Sequence, residues 1–132
     1  MRWCRARIGR LALLFLAAVP VCLYSQETLE QIEARAAELK SRGDAAGALA
    51  AWEKAAALDP KSARMQDEIG FLLAAQNQLE KALSHFERAL ALDQQYAPAH
   101  YHLGVAWWLR GDPDRSIPHL EAAASLDPKN FE

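Results

Sequence analysis

The residues of this 132-residue chain that could do chemistry are four histidines and a scatter of carboxylates. Imidazoles hold a metal ion only where two or more of them converge with other ligands. His100 and His102 are two residues apart, so on a helix they point to different faces. His85 and His119 are 34 residues apart, and stacked helices would hold them about 8–10 Å apart, too far for joint ligation. The sequence therefore predicts no metal site.

Catalytic motifs do not appear either. The sequence has no GxSxG nucleophile elbow, no phosphate-binding loop of the GxxxxGK[ST] type and no GxGxxG dinucleotide fingerprint. Serine, histidine and aspartate occur without a spacing that would bring them together. We predict that the chain is not an enzyme and that it binds no cofactor.

The N-terminal segment has the layout of a secretory signal peptide. Residues 1–10 include four basic residues, Arg2, Arg5, Arg7 and Arg10. Residues 11–21 are apolar, and the small residue Ser25 precedes a polar stretch. The apolar run falls short of the roughly 20 residues that span a membrane. We expect residues 1–25 to be a signal peptide and residues 26–132 to be an exported domain, periplasmic or secreted. An uncleaved N-terminal membrane anchor and a lipoprotein attached through Cys22 are the alternatives.

Removal of this segment would change the chemistry of the chain. Both cysteines, Cys4 and Cys22, lie within it, so the mature chain would form no disulfide and no thiolate metal site. The other 11 lysines and arginines face 17 acidic residues. An acidic domain without a basic stripe is a poor nucleic-acid binder, because phosphate contacts carry most of that affinity. We predict a protein or peptide partner, no nucleic acid, and membrane contact only if the N-terminal segment is kept.

The rest of the sequence repeats itself every 34 residues, over 29–62, 63–96 and 97–130. Small residues recur in some columns and large apolar residues in another, which predicts packing of small against large between helices. The predicted packing residues are Ala36, Gly70 and Gly104; Ala48 and Ala82; Trp52, Phe86 and Leu120; and Ala55, Ala89 and Ala123.

Each copy holds two helical patterns of about 13 residues, separated by a turn at 42–44, 76–78 or 110–112. Gly and Asn suit the left-handed conformation that ends a helix, and Asp suits the start of the next one. Thr28 and Gln31 form a capping-box pattern at the first helix. No alternating β-branched run is present, so the sequence predicts an all-α fold.

These features resemble the tetratricopeptide repeat (TPR). The resemblance rests on the 34-residue period, on Leu103-Gly104 with Trp107 three residues on, and on Ala82, Phe86 and Ala89 in the second helix. It implies an α-solenoid of three helix-turn-helix repeats, a right-handed superhelix whose concave groove is lined mainly by the first helix of each pair.

The resemblance also implies which residues face the groove. We predict Phe71, Tyr101, Val105 and Trp108 as apolar anchors for a peptide, because buried aromatics inside a polar rim make binding hot spots. His102 would lie at the rim, where the acids Glu33, Asp67 and Glu68 would select basic neighbours in the ligand. The alternative is that Tyr101 and Trp108 pack within the stack. Trp107 points the other way and is expected in the core.

One subtype of the family grips a peptide's C-terminal carboxylate with Lys, Asn and Arg on these faces. Here the matching positions are occupied by Glu33, Ala37, Glu68, Pro98 and His102. Acidic groups would repel a carboxylate, so we exclude that ligand class and favour an apolar or basic segment.

The sequence thus predicts an exported, non-catalytic adaptor that binds a peptide in a TPR groove. A rival hypothesis is a self-assembling module, because the final repeat would expose apolar surface and could form a homo-oligomer. A second rival is a fragment of a longer repeat array or of a larger enzyme's scaffold.

Overall fold

The computed structural model describes residues 27–130, so the predicted signal peptide lies outside the described residues. Within that range the chain forms six α-helices and no strand, which confirms the all-α prediction. None of these helices is both long and apolar enough to cross a membrane. The helices are α1 (Leu29–Ser41), α2 (Ala45–Leu58), α3 (Ala63–Ala75), α4 (Leu79–Leu92), α5 (Ala97–Leu109) and α6 (Pro113–Leu126), followed by a short 3-10 turn at Pro128–Asn130.

The turns within the three helix pairs have the same backbone conformation. Gly43, Asn77 and Gly111 adopt positive φ angles of 80°, 60° and 83°, the left-handed conformation that ends a helix. Asp44 and Asp112 then accept a hydrogen bond from a backbone N–H of the next helix. Because the turns are alike, α1, α3 and α5 begin 34 residues apart and present equivalent faces.

Helix pairs close by packing a small residue against a large one. A Cβ atom added to Gly70 would lie 2.6 Å from Phe86 Cε1, and one added to Gly104 would lie 2.8 Å from Leu120 Cδ2. The other predicted packing residues are also buried, except that Leu120 is only partly covered. The glycines therefore let α3 and α5 approach the helices that follow them.

The pairs stack in chain order. α2 packs on α3 and α4 packs on α5, while α3 also contacts α5 directly. One apolar core runs through the stack from Ile32 to Trp107. Trp107 is 6% exposed, and the guanidinium groups of Arg110 and Arg115 lie over its ring. This confirms that Trp107 belongs to the core and leaves the opposite face of α5 open.

Candidate functional site

A cavity of about 330 Å³ lies between the open faces of α3 and α5. We call it the α3–α5 slot. It is bounded by Phe71 and Ala74 of α3, by Leu79 of α4, and by Tyr101, Val105 and Leu109 of α5. The two helices hold these side chains in register because residues three, four, seven and eight apart share one helical face. Except for Tyr101 and His102, every residue that lines the slot is apolar.

Three of the four predicted anchors meet in the slot, and one does not. Phe71 and Tyr101 are 38% and 43% exposed, so each leaves part of its ring in contact with solvent. Val105 lies one helical turn after Tyr101 on α5. Trp108 is 61% exposed and lies in an adjoining depression with Tyr101, Val105 and Leu120. The predicted anchor surface is thus two neighbouring depressions that share Tyr101 and Val105.

His102 is fixed beside the slot by a buried carboxylate. Its Nδ1 lies 2.8 Å from Oδ1 of Asp67, and its ring contacts the rings of Phe71, Phe86 and Tyr101 at centroid distances of 5.4–5.6 Å. Asp67 is 3% exposed. The prediction that Asp67 lies at an exposed rim is therefore wrong: the bond to His102 draws the carboxylate between α3 and α5, where it positions the imidazole.

The other two predicted acids already have basic partners within the chain. Glu33 is paired with Arg64 at 2.5 Å, and Glu68 with Lys40 at 2.6 Å. The Lys40 ammonium also lies 4.3 Å from the centre of the Phe71 ring, so it covers one edge of the anchor surface. Glu33 and Glu68 therefore bring no unpaired charge to the surroundings of the slot.

Two polar pairs in the second and third repeats could not be found from the histidine spacing alone. Nδ1 of His85 lies 3.0 Å from Oε1 of Gln66, and Nδ1 of His100 lies 3.0 Å from Nδ1 of His119. Both pairs join residues 19 apart, one on each helix of a repeat. That interval follows from the helix-turn-helix geometry, and Ile32 and Ala51 hold the same places in the first repeat.

The two second-helix imidazoles of these pairs are partly buried. Burial lowers the pKa of His85, and the nearby Arg88 lowers it further. Burial likewise lowers the pKa of His119, with a smaller contribution from His100. Nε2 of His100 lies 3.0 Å from the carbonyl oxygen of Gln94, so that nitrogen carries the proton and Nδ1 accepts from His119. Over residues 27–130, no group of three or more His, Cys, Asp or Glu side chains comes together to hold a metal ion.

Two family models match the chain. A TPR repeat model matches residues 70–111, and a tetratricopeptide repeat model matches residues 97–130. No curated protein matches the sequence.

Several solved structures share the fold. The crystal structure of MamA is 25% identical, with a TM-score of 0.71 over 77% of this chain and 60% of that chain. An O-GlcNAc transferase variant from Thermobaculum terrenum is 26% identical, with a TM-score of 0.73 over 76% of this chain and 19% of that one. The first TPR of Spaghetti, bound to an HSP90 peptide, is 20% identical, with a TM-score of 0.74 over 81% and 84%. This chain therefore spans less than two thirds of the first two proteins.

The repeat models together match residues 70–130, and the solved structures share the fold over 76–81% of this chain. The helix starts at 34-residue intervals agree with the repeat models, the second of which spans 34 residues. Residues 70–130 thus match tetratricopeptide repeat models, and the described helices have the tetratricopeptide repeat fold.

Proposed function

We propose that this protein is a non-catalytic adaptor that binds an apolar peptide segment in the α3–α5 slot. Tetratricopeptide repeats generally mediate interactions with proteins or peptides. The observation that carries the proposal is the slot itself, an apolar cavity in which Phe71 and Tyr101 stay exposed although the core beside them is well packed. Exposed aromatic side chains around a concave surface are the anchors that binding hot spots use.

The charges around the slot favour an apolar ligand over a charged one. Glu33, Asp67 and Glu68 each have a cationic or imidazole partner within the chain. A basic ligand would have to displace Arg64 or Lys40, and exchanging one exposed ion pair for another gains little free energy. The preference for basic neighbours, which these acids predicted from sequence, therefore has less support than the apolar preference.

An acidic ligand is not favoured either. The Spaghetti TPR that shares this fold is bound to the peptide SRMEEVD, three of whose last four residues are acidic. At the positions predicted to meet such an end, this chain has Glu33, Glu68 and Pro98 instead of a cluster of basic groups. The proposal that the adaptor acts outside the cytoplasm, in the periplasm or after secretion, rests on the signal-like segment at residues 1–25.

Partner capture with matched variants tests this proposal. We expect the chain to retain a partner that the double variant Phe71→Ala, Tyr101→Ala loses, with at least about tenfold weaker binding when the partner is remeasured in purified form. Leu58→Ala is the control, because Leu58 is 58% exposed but lies on α2, away from the slot. If the double variant keeps its helical circular dichroism and still binds every partner, the slot is not the site.

Self-association is a second candidate function, favoured by the surface at the end of the stack. Leu83 on α4 is 4% exposed, whereas Ile117, which holds the same place on α6, is 49% exposed. At the other end, α1 presents Gln31, Arg35 and Glu38 in the places where α3 has apolar side chains. Because an apolar end does not fit a polar one, two chains would join through their α6 ends in a two-fold dimer.

Light scattering over a concentration series tests this second candidate. We expect a dimer that Ile117→Glu converts to a monomer, whereas Arg35→Glu at the polar end leaves it unchanged. Growth to larger species with rising concentration would indicate head-to-tail joining, and a monomer at every concentration would remove self-association from consideration.

A further inference from the structure

The α3–α5 slot has polar side-chain atoms on only two of its lining residues, Tyr101 and His102. His102 also lines a second cavity of about 330 Å³ beside Pro98 and Asn130. A ligand that occupies either side of the ring therefore meets the imidazole. The state of its two nitrogens decides which ligand atoms it can accept.

Asp67 sets that state. An ionised carboxylate can only accept hydrogen bonds, so the 2.8 Å contact requires that Nδ1 of His102 carries a proton and donates it to Asp67. In the neutral imidazole, Nε2 is then a hydrogen-bond acceptor. Among residues 27–130, the only enclosed side-chain nitrogen or oxygen without a partner is Nε1 of Trp52. Within that range Nε2 of His102 has no hydrogen-bond partner, and the His102 side chain is 25% exposed, so Nε2 is the ring nitrogen that a ligand can reach.

From this arrangement we infer that the slot selects a ligand side chain that is aromatic and carries a hydrogen-bond donor, namely tyrosine or tryptophan, with Nε2 of His102 as the acceptor. The inference rests on the proposed function, since it names the ligand residue of the same slot. The walls of the slot favour an aromatic ligand side chain, because Phe71 and Tyr101 offer ring faces and edges to a third ring. Charged side chains are disfavoured, since the walls of the slot are mostly apolar and the nearby Lys40 and Glu68 already pair with each other.

Nε2 of His102, as the acceptor, favours a ligand side chain that carries a hydrogen-bond donor. A tyrosine hydroxyl or an indole N–H would replace the water that Nε2 loses when the slot is filled. A phenylalanine would fill the same volume but leave Nε2 without a partner. Burying a polar group unpaired weakens binding, so we expect the tyrosine or tryptophan ligand to bind about tenfold more tightly than its phenylalanine analogue.

Selection from a phage-displayed library of random 12-residue peptides tests the inference on the full chain at pH 8. We expect enriched sequences to share a tyrosine or tryptophan, and their enrichment to disappear on the Phe71→Ala, Tyr101→Ala variant. Equal enrichment of phenylalanine or leucine would overturn the inference and leave the proposed function standing. If the selected peptides bind that variant as well as the wild-type chain, or if none is selected, both the inference and the proposed function fail.

A double variant isolates the acceptor from the shape of the slot. Asp67→Leu with His102→Phe replaces both partners by apolar groups of similar size, so that no carboxylate is left buried alone. We expect the tenfold preference for tyrosine or tryptophan over phenylalanine to fall to about one, while the phenylalanine peptide binds as before. An unchanged preference in the folded double variant would overturn the role of His102.

A second measurement needs no variant. Long-range ¹H–¹⁵N spectra of the wild-type chain report the chemical shift of Nε2 in His102. We expect this shift to move toward that of a hydrogen-bonded nitrogen when the selected peptide is added, and to move less with its phenylalanine analogue. Equal movement with both peptides would contradict a hydrogen bond to the ligand.

Discussion

Hydrogen-bonded histidines in the second and third repeats occupy positions where the first repeat has apolar residues. Gln66 and His85 are hydrogen-bonded where Ile32 and Ala51 stand in the first repeat. His85 and His119 are partly buried, and burial lowers the pKa of both below the ordinary value of 6.5. The unfolded chain therefore binds protons on these residues at a higher pH than the folded chain does.

This difference in proton binding predicts loss of stability in acid. When the pH falls through 6.5, unfolding takes up protons at His85 and His119, so the free energy of unfolding decreases. We expect a lower urea midpoint at pH 5 than at pH 7.5. The variant His85→Gln keeps a hydrogen-bonding group for Gln66 but cannot titrate, so its midpoint should change less with pH. An equal pH dependence in both chains would show that His85 does not contribute.

The helix starts differ in one respect that a single substitution should correct. Asp44 and Asp112 cap α2 and α6 with side-chain hydrogen bonds, but Gln78, in the same place before α4, makes none to the helix backbone. We expect Gln78→Asp to raise the free energy of unfolding by about 0.5–1 kcal/mol, because it would accept from an unpaired N–H. Urea denaturation measures this change. Asp44→Ala is the reverse control and should lower the free energy of unfolding by about 0.5–2 kcal/mol. An unchanged free energy of unfolding in Gln78→Asp would contradict the equivalence of the turns.

The close approach of α3 to α4 leaves no room for a side chain at Gly70. Gly70→Ala would gain about 1 kcal/mol of helix propensity, but its new methyl group would lie 2.6 Å from Phe86. We expect the clash to dominate and the free energy of unfolding to fall by about 1–3 kcal/mol, because a packed core accepts added volume poorly. Thermal unfolding of Gly70→Ala with and without Phe86→Leu provides the check. The two substitutions together should cost less than the sum of their separate effects.

These elements show what sequence alone could provide. The helices and their turns were predictable because each 34-residue copy repeats the same helix-turn-helix pattern. The Thr28–Gln31 capping box, which marks the first helix alone, is confirmed by both of its hydrogen bonds. The pairing of Gly70 with Phe86 followed from size alone. The Asp67–His102 bond was not predictable in the same way, because it depends on how far α5 rotates against α3, and period alone does not fix that rotation.

Over the whole molecule, the described helices are unequally held. α3 packs against α2, α4 and α5. In α6 only Ser116 and Ala123 are buried, and Pro118 interrupts the backbone hydrogen bonds. Because repeat proteins are stabilised by contacts between neighbours, the end of the stack should open more readily than its centre.

Hydrogen exchange tests this order of opening. In a dilute sample we expect the amides of α6 to exchange about tenfold or more faster than those of α3. Raising the protein concentration should slow exchange in α6 alone if chains associate through that end. Uniform protection along the chain at low concentration would contradict the expected order.

The two histidine pairs are each contained within one helix-turn-helix unit, whereas the Asp67–His102 bond joins adjacent units. A duplication or deletion of a whole unit would therefore keep both residues of such a pair together. Neither residue would be left buried without its hydrogen-bond partner. The Asp67–His102 bond is different, since it forms only where a unit that contains Asp67 is followed by a unit that contains His102. Rearrangement of this gene in steps of 34 codons would leave the internal pairs intact, while Asp67 and His102 together constrain the order in which units can be joined.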